Sequence, residues 1–396
     1  MNLRAPGVYV EEIAAGPRPI EAVGTSTPAF LGQAPKADAE VQNAVPVNNW
    51  SQFYRTYIAD ATASTPLAQA VYGFFENGGT RCYVVNLGAG GVVAGGVRDG
   101  RRTGVALLEE LPDVAIIAAP GFVDAASYDS LLTHCEAMKN RVAVLDAPAE
   151  VSSKDIDRLK VVATPAPDPT AKASGGMRPQ KQDGGYGAFY FPWIRTYDAV
   201  DPTKLVWSPP SGHVAGVYAR TDTLRGVHKA PANERIAGAL DVRYRVTAAE
   251  QAELNSAGVN CIRFFPDAGI RIWGARTVAD SASEWRYINV RRLFNMVEES
   301  IGRATRWIVF EPNDETLWKS IKRDIGAFLL RLWRGGALMG ATPEQAFFVK
   351  CDEETNPQDS IDAGEVNTLI GIAPVKPAEF VVFKIGQHAG GTTTTT

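Results

Sequence analysis

Residues 114–145 read VAIIAAPGFVDAASYDSLLTHCEAMKNRVAVL, and the fold class turns on this stretch. Val114–Ala119 is a short apolar run with the form of a buried strand. Tyr128, Leu131, Leu132, Cys135 and Met138 then recur at helical spacing, and Arg141–Leu145 is a second strand. Strand, helix, strand in that order predicts a parallel βαβ unit. Upstream, Arg81–Leu87 adds another strand, so the reading from about Thr25 to Val246 is α/β. Downstream, Thr164–Gly187 carries Pro165, Pro167, Pro169 and Pro179 with Gly175, Gly176, Gly184, Gly185 and Gly187, a surface loop by composition. An aromatic strand, Ala188–Phe191, follows and breaks at Pro192.

The last third reads as α+β. Thr247-Ala248-Ala249-Glu250 is a capping box opening a short helix that ends near Gly258. Strands Cys261–Phe265 and Ile270–Trp273 come next. A helix around Trp285–Ile301 places Val290, Leu293, Phe294, Val297 and Ile301 on one face. After an expected strand at Trp307–Phe310, Asn313 caps a helix that Gly335-Gly336 stops, with a stripe of Leu317, Ile321, Ile325, Phe328 and Leu332. The domains expected are therefore 23–246 and 247–373, flanked by terminal segments 1–22 and 374–396.

Composition narrows the function classes. The 396 residues include 40 Lys plus Arg and 44 Asp plus Glu, a net charge of −4. That balance excludes the broad basic footprint of a nucleic-acid coat protein and a polybasic membrane anchor. No apolar run reaches the ~18 residues of a membrane helix. Pro6 and Gly7 stand where a signal peptide would be apolar, so a soluble chain outside the general secretory route is expected. Cys82, Cys135, Cys261 and Cys351 form no CxxC pair, which predicts reduced, buried thiols rather than zinc or disulfides.

Candidate chemistry is thin. Gly88-Ala89-Gly90 lacks the third glycine of a dinucleotide loop, Val93 standing in its place, and there is no GxxxxGK[ST] loop. Ser211, His213, Asp222 and His228 lack a GxSxG elbow, and Ser211 after Pro209-Pro210 fits a helix cap. His134-Cys135-Glu136 has no second cysteine pair and predicts no metal. Glu298-Glu299 and Asp352-Glu353-Glu354 read as solvated faces. Asp124 and Asp146 follow strands at their carboxyl ends, where α/β enzymes place functional carboxylates, although capping is the simpler role. They are the site of the alternative reading, an α/β enzyme. Lys319, Lys322, Arg323, Arg331 and Arg334 lie on one predicted helix, either a solvated face or a docking surface for an acidic protein.

The termini carry the strongest signal. Gly7–Ile13, with Val8, Tyr9, Val10, Glu11 and Ile13, reads as a strand held off by the stiff linker Gly16-Pro17-Arg18-Pro19. Pro374-Val375-Lys376-Pro377 leads similarly into Glu379–Ile385, with Phe380, Val381, Val382, Phe383 and Ile385; the threonine tail beyond Gly386 is expected to be disordered. A lone strand is unstable in water and needs a sheet to join. Two such arms predict exchange of strands between neighbouring subunits and open, head-to-tail assembly.

Several segments resemble contractile tail sheath proteins of phage tails and phage-tail-like injection systems. They are Pro6–Glu12 with Gly16–Ile20, Pro209–Asp222, Gly226–Asn233, Gly258–Arg263, Trp285–Arg292 and the stretch from Phe310 to Gln387. The resemblance implies a structural, non-enzymatic subunit that polymerises as stacked hexameric rings around a rigid inner tube. It implies contraction without nucleotide, an outer α/β domain, and an inner, tube-facing α+β C-terminal domain with both strand arms. The linkers at Gly16–Pro19 and Pro374–Pro377 would act as hinges, and the basic helix residues Lys319, Lys322, Arg323, Arg331 and Arg334 would face the tube. Baseplate and terminator or cap proteins are the further partners implied. No cofactor, metal, direct nucleic-acid contact or membrane insertion is implied, and assembly belongs in the bacterial cytoplasm.

Overall fold

A computed structural model describes residues 19–164 and 175–380. The strands in chain order are β1 (Pro28–Gly32), β2 (Ala44–Val47), β3 (Cys82–Asn86), β4 (Gly96–Arg98), β5 (Arg101–Thr103), β6 (Ile116–Ala118), β7 (Val142–Asp146) and β8 (Gly187–Phe191). They continue as β9 (Ile194–Tyr197), β10 (Leu205–Ser208), β11 (Glu234–Arg235), β12 (Asp241–Val242), β13 (Val259–Phe265), β14 (Gly269–Trp273), β15 (Phe347–Lys350) and β16 (Leu369–Ile372). The helices are α1 (Trp50–Phe53), α2 (Pro66–Glu76), α3 (Ala125–Met138), α4 (Ser211–Arg225), α5 (Ala248–Ser256), α6 (Ile288–Ala304), α7 (Glu315–Arg334), α8 (Pro343–Ala346) and α9 (Gln358–Asp362).

Among the described residues nine strands join one sheet, in the order β11-β14-β13-β8-β7-β6-β1-β3-β2. From β13 to β3 neighbouring strands run parallel, and β2, β14 and β11 close the margins antiparallel. The middle strands β1, β3, β7 and β8 are buried along their whole length, as a sheet covered on both faces requires. One core holds Val71 and Phe74 of α2 with Val214 and Tyr218 of α4; the opposite core holds Tyr128, Leu131 and Cys135 of α3. A third core is separate, formed by Leu293 and Val297 of α6 with Leu317, Ile321, Ile325 and Phe328 of α7.

The βαβ unit forms as its spacing dictates, with β6 and β7 paired in parallel across α3. The Asp124 carboxylate caps α3, accepting from Ser127 N at 2.9 Å, and Thr247 with Glu250 makes the expected capping box. All four cysteines are free and buried.

Four expectations need correction. The boundary at 246/247 falls inside the sheet unit: β13 and β14 extend the sheet, and Ile262, Ile270 and Ile272 sit in its core. Trp307–Phe310 is not a strand, because α6 runs on to Ala304, a 3-10 turn spans Arg306–Ile308, and Phe310 stands exposed at φ +72°. The cap of α7 is Asp314, one residue later than expected, and Asn313 instead accepts from Trp318 Nε1. The described part of the Pro/Gly-rich loop is tied down rather than solvated: Arg178 bridges to Val162, and buried Gln182 donates to Leu132 O. The expected strand residues Val8, Tyr9, Val10, Glu11, Ile13, Val381, Val382, Phe383 and Ile385, and the tail, lie outside the described residues.

Candidate assembly interface

The two-stranded sheet β15–β16 lies on the α6–α7 core. Its antiparallel register pairs Phe347 with Ile372, Phe348 with Gly371, Val349 with Ile370 and Lys350 with Leu369. Alternation therefore turns Phe347, Val349, Ile370 and Ile372 onto the core and leaves Phe348 and Leu369 outward, 53% and 56% exposed. Phe348 lies over Gly371, where an added Cβ would stand 2.1 Å from its ring. No other described strand pairs with either outer edge. Two strands with an apolar outer face and open backbone on both sides are marginal alone and able to accept more strands.

The roots of both terminal segments are fixed to the body. Ile20 is buried in the α6–α7 core, Arg331 Nη2 donates to its carbonyl, and Val23 N donates to Ser300 Oγ at 3.0 Å. At the other end Pro374 bridges to Leu338 and Val375 N donates to Ala337 O at 3.2 Å. Glu379 is then clamped. Arg276 Nε and Nη2 each donate to one of its carboxylate oxygens at 2.8 Å, Asn255 Nδ2 donates at 2.7 Å and the Tyr287 hydroxyl at 3.0 Å. Burial alone would raise this carboxyl, but the Arg276, Asn255 and Tyr287 contacts outweigh it and hold Glu379 below its ordinary range. Pro374–Pro377 is thus bounded by anchors on both sides, which removes the freedom expected of a hinge. Phe380, next along, is 73% exposed.

The basic residues of α7 are not equivalent. Lys319 pairs with Glu315 at 2.7 Å in solvent, Arg323 Nε donates to Asp324 at 2.9 Å, and Lys322 and Arg334 are exposed. Arg331, by contrast, is the anchor of Ile20.

The residues of the enzyme alternative serve helix ends. Asp124 caps α3, whereas Asp146 reaches across to the first turn of α4, accepting from Ser211 N at 2.8 Å and Ser211 Oγ at 2.7 Å. Burial pushes the Asp146 carboxyl up to about 7, against the opposing bonds from Ser211 and Gly121. Ser211 is the first residue of α4 and donates its hydroxyl, so it does not cap its own helix as expected. His213 is fully buried against Gly73 with neither ring nitrogen bonded, and Asp222 is committed to Arg292. Two small clefts are lined by Val23, Thr25, Arg292 and Met296 and by Ile20, Trp307, Ile321 and Ile325. Neither is lined by Asp124 or Asp146. Among the described residues no helix is long and apolar enough to cross a membrane.

Sequence reasoning missed the Glu379 clamp and the Arg292–Asp222 pair. In the second, Arg292 and Asp222 bury their side chains to 3% and 6% exposure, and Thr25 adds a hydroxyl donor at 2.5 Å. A glutamate at the start of an apolar run of sequence is the only local signal for the first.

Residues 107–278 match the phage tail sheath protein central domain and residues 280–387 the phage tail sheath C-terminal domain, a division that coincides with the end of the sheet unit. The tail sheath protein of Vibrio phage KVP40 is 32% identical over 178 residues, 44% of this chain and 26% of the relative. That of Salmonella phage ViI is 29% identical over 185 residues, 46% and 28% of the two chains. The chain thus matches little more than a quarter of the length of these relatives. Whole-chain similarity comes from solved structures. The sheath complex of the extracellular contractile injection system PVC, in the contracted state, superposes with TM-score 0.79 at 30% identity, covering 98% of this chain and 99% of that one. The contracted helical sheath of the anti-feeding prophage gives 0.75 at 31%, covering 98% and 100%. With a mixed α/β sheath fold matched end to end and family domains over both of its units, the chain belongs to the phage tail sheath family.

Proposed function

We propose that this chain is the contractile sheath subunit of a phage tail or phage-tail-like injection particle. It polymerises as stacked hexameric rings around a rigid inner tube, and its contraction drives that tube through a target envelope. The observation that carries the mechanism is the β15–β16 sheet: it has two open edges and an outward apolar face. The chain itself has two apolar terminal stretches of sequence, and the described residue next to each, Ile20 and Glu379, is fixed to the body. One arm from each of two neighbours completes a four-stranded sheet, satisfying backbone groups that are otherwise left to water. Contacts of this head-to-tail kind close into rings where the rotation returns to its start and run on as helices where it does not.

In this lattice the sheet unit faces outward and the α6–α7 unit lies inward. Lys319, Lys322, Arg323 and Arg334 are then the cations available to an acidic inner tube, while Arg331 is already occupied. Baseplate and terminator or cap proteins bound the polymer, which assembles in the bacterial cytoplasm. The role is structural rather than catalytic. Firing draws on free energy stored when the extended form is assembled and kinetically held.

The test is negative-stain electron microscopy of the full chain with its tube partner. Long striated cylinders are expected, and compact discrete oligomers would overturn the reading. Deleting 1–13 or 379–396 should leave folded subunits that do not polymerise; normal cylinders from both truncations refute strand exchange. Replacing Lys319, Lys322 and Arg323 with Glu should weaken co-assembly with the tube.

A further inference from the structure

The free margin of the large sheet carries three arginines in a row. Register places Arg235 of β11 directly opposite Arg271 of β14, and Arg271 directly opposite Arg263 of β13. Directly opposed residues share a face, so the three guanidinium groups line one side of three adjacent strands. Strands lie about 4.8 Å apart and the screening length in physiological salt is about 8 Å, so these charges repel one another. Among the described residues no carboxylate neutralises them. Arg263 Nη1 donates to the Gln251 side chain at 2.7 Å, and Arg271 donates to Ala268 O and to Asn233, all neutral acceptors. Among the described residues none of the three has an ion-pair partner. Glu234 is engaged with Lys229, and Asp267, in the turn between β13 and β14, is exposed and makes no ion pair. Phe265 and Trp273, on the same face by register, pack at 4.6 Å between ring centres and give the row an aromatic flank. A like-charged row beside aromatic surface is the composition of a contact for carboxylates, since arginine and tryptophan dominate protein–protein hot spots.

The same chain carries the complement. Between Cys351 and Val375 there is no Lys or Arg, whereas Asp352, Glu353, Glu354, Asp359, Asp362 and Glu365 all fall there. Glu353, Asp359 and Glu365 are exposed and form no ion pair among the described residues; Glu354 alone is paired, with Lys350. No ion pair joins this acidic segment to the arginine row within the chain.

We propose that the arginine row Arg235–Arg271–Arg263 docks the acidic segment 352–365 of a second copy of this chain. The contact rests on the self-assembly proposed above and is distinct from strand exchange: it joins the sheet margin of one subunit to the β15–β16 connection of another. Being heterologous, it propagates rather than closing a dimer, and being electrostatic it sets register and salt dependence.

The test is charge exchange in the full-length chain, read as the protein concentration at which sedimentable polymer appears with the tube partner. Arg235→Glu with Arg271→Glu, and separately Asp359→Lys with Asp362→Lys, should each raise that concentration about tenfold or more, since each sets like charges across the contact. Combining the two sets should restore assembly. As a second readout, Arg235→Cys paired with Asp359→Cys should give disulfide-linked multimers under oxidation, against a background of buried native cysteines. This readout also decides the matter should the reversed rows fail to fold. Polymers indifferent to either reversal, folded reversals not restored by their combination, or an absence of cross-linking in assembled cysteine variants each overturn the contact while leaving the sheath reading intact. A wild-type chain that never polymerises with its tube removes both.

Discussion

Replacing Glu379 with Ala or Gln tests how the C-terminal segment is held. The carboxylate accepts two charge-assisted bonds from Arg276 and one each from Asn255 and Tyr287, with side chains 19% and 11% exposed for Glu379 and Arg276. Breaking a fully buried pair costs about 3–5 kcal/mol, whereas exposed pairs are worth less than about 1. The partial exposure here puts Glu379→Ala at about 2–3 kcal/mol, or roughly a 30- to 150-fold rise in local opening at about 1.4 kcal/mol per factor of ten. The loss is local, because residues beyond 374 can detach without unfolding the sheet, so global urea unfolding should move less than amide exchange in peptides covering 366–380.

The pH dependence supplies the sign. The folded carboxyl is held below its ordinary value of 4.5. Its contribution is therefore fully present above that value and lost as pH falls through the folded pKa. Once the intrinsic pH dependence of amide exchange is divided out, protection in wild type should fall on acidification to meet that of Glu379→Gln, which should be flat over the same range. Equal protection of the two proteins at neutral pH would refute the clamp.

Four further outcomes follow from buried groups. Asp222→Ala should cost about 3–5 kcal/mol in urea denaturation, since it strands Arg292, 3% exposed at its side chain, over the Tyr218 ring. His213 is held down to about 4 by burial, against an ordinary 6.5; folding then excludes its proton, and stability should fall by about 3 kcal/mol between those pH values, a slope absent from His213→Leu. Asp146, raised to about 7, acts in the opposite direction: stability falls as pH climbs from its ordinary 3.8 towards 7, and Asp146→Asn should flatten that limb while weakening the start of α4. Gly73→Ala, normally favourable in a helix, should instead destabilise by about 1–3 kcal/mol, because its Cβ would stand 2.3 Å from the His213 ring; unchanged thermal unfolding would show that α2 and α4 can separate at no cost.

What was legible in the sequence was local. The cap at Asp124, the capping box at Thr247–Glu250 and the stripes of α6 and α7 are encoded within a few residues of where they act. What escaped is long-range. Asp146 meets Ser211 across 65 positions and Glu379 meets Arg276 across 103, separations over which periodicity carries no information. The misplaced boundary at 246/247 has the same origin: an antiparallel β13–β14 hairpin looks alike from within, whether it starts a new unit or extends an old sheet. The Trp307–Phe310 error is of another kind, an apolar run that satisfies strand composition and finds no partner among the described residues. The row of arginines was invisible for the first reason, since only register brings 235, 263 and 271 together.

The two anchors also cross. Ile20 precedes the sheet unit in the chain yet is buried in the α6–α7 core, while Glu379 follows that core yet is held by Arg276, Asn255 and Tyr287 beside the sheet. Between them Arg292 of α6 closes on Asp222 of α4 and on the carbonyl of Thr25, so the entering segment, the sheet unit and the helical unit meet at one buried charge. A pull on either terminal segment is thereby delivered to the unit at the opposite end of the chain, and peeling one arm root requires breaking a contact between units rather than fraying an end. In the proposed lattice a neighbour tugging on either arm therefore loads the junction that the two units share. A packed junction of this kind has discrete arrangements rather than a continuum, which is what a contraction that either holds or fires demands.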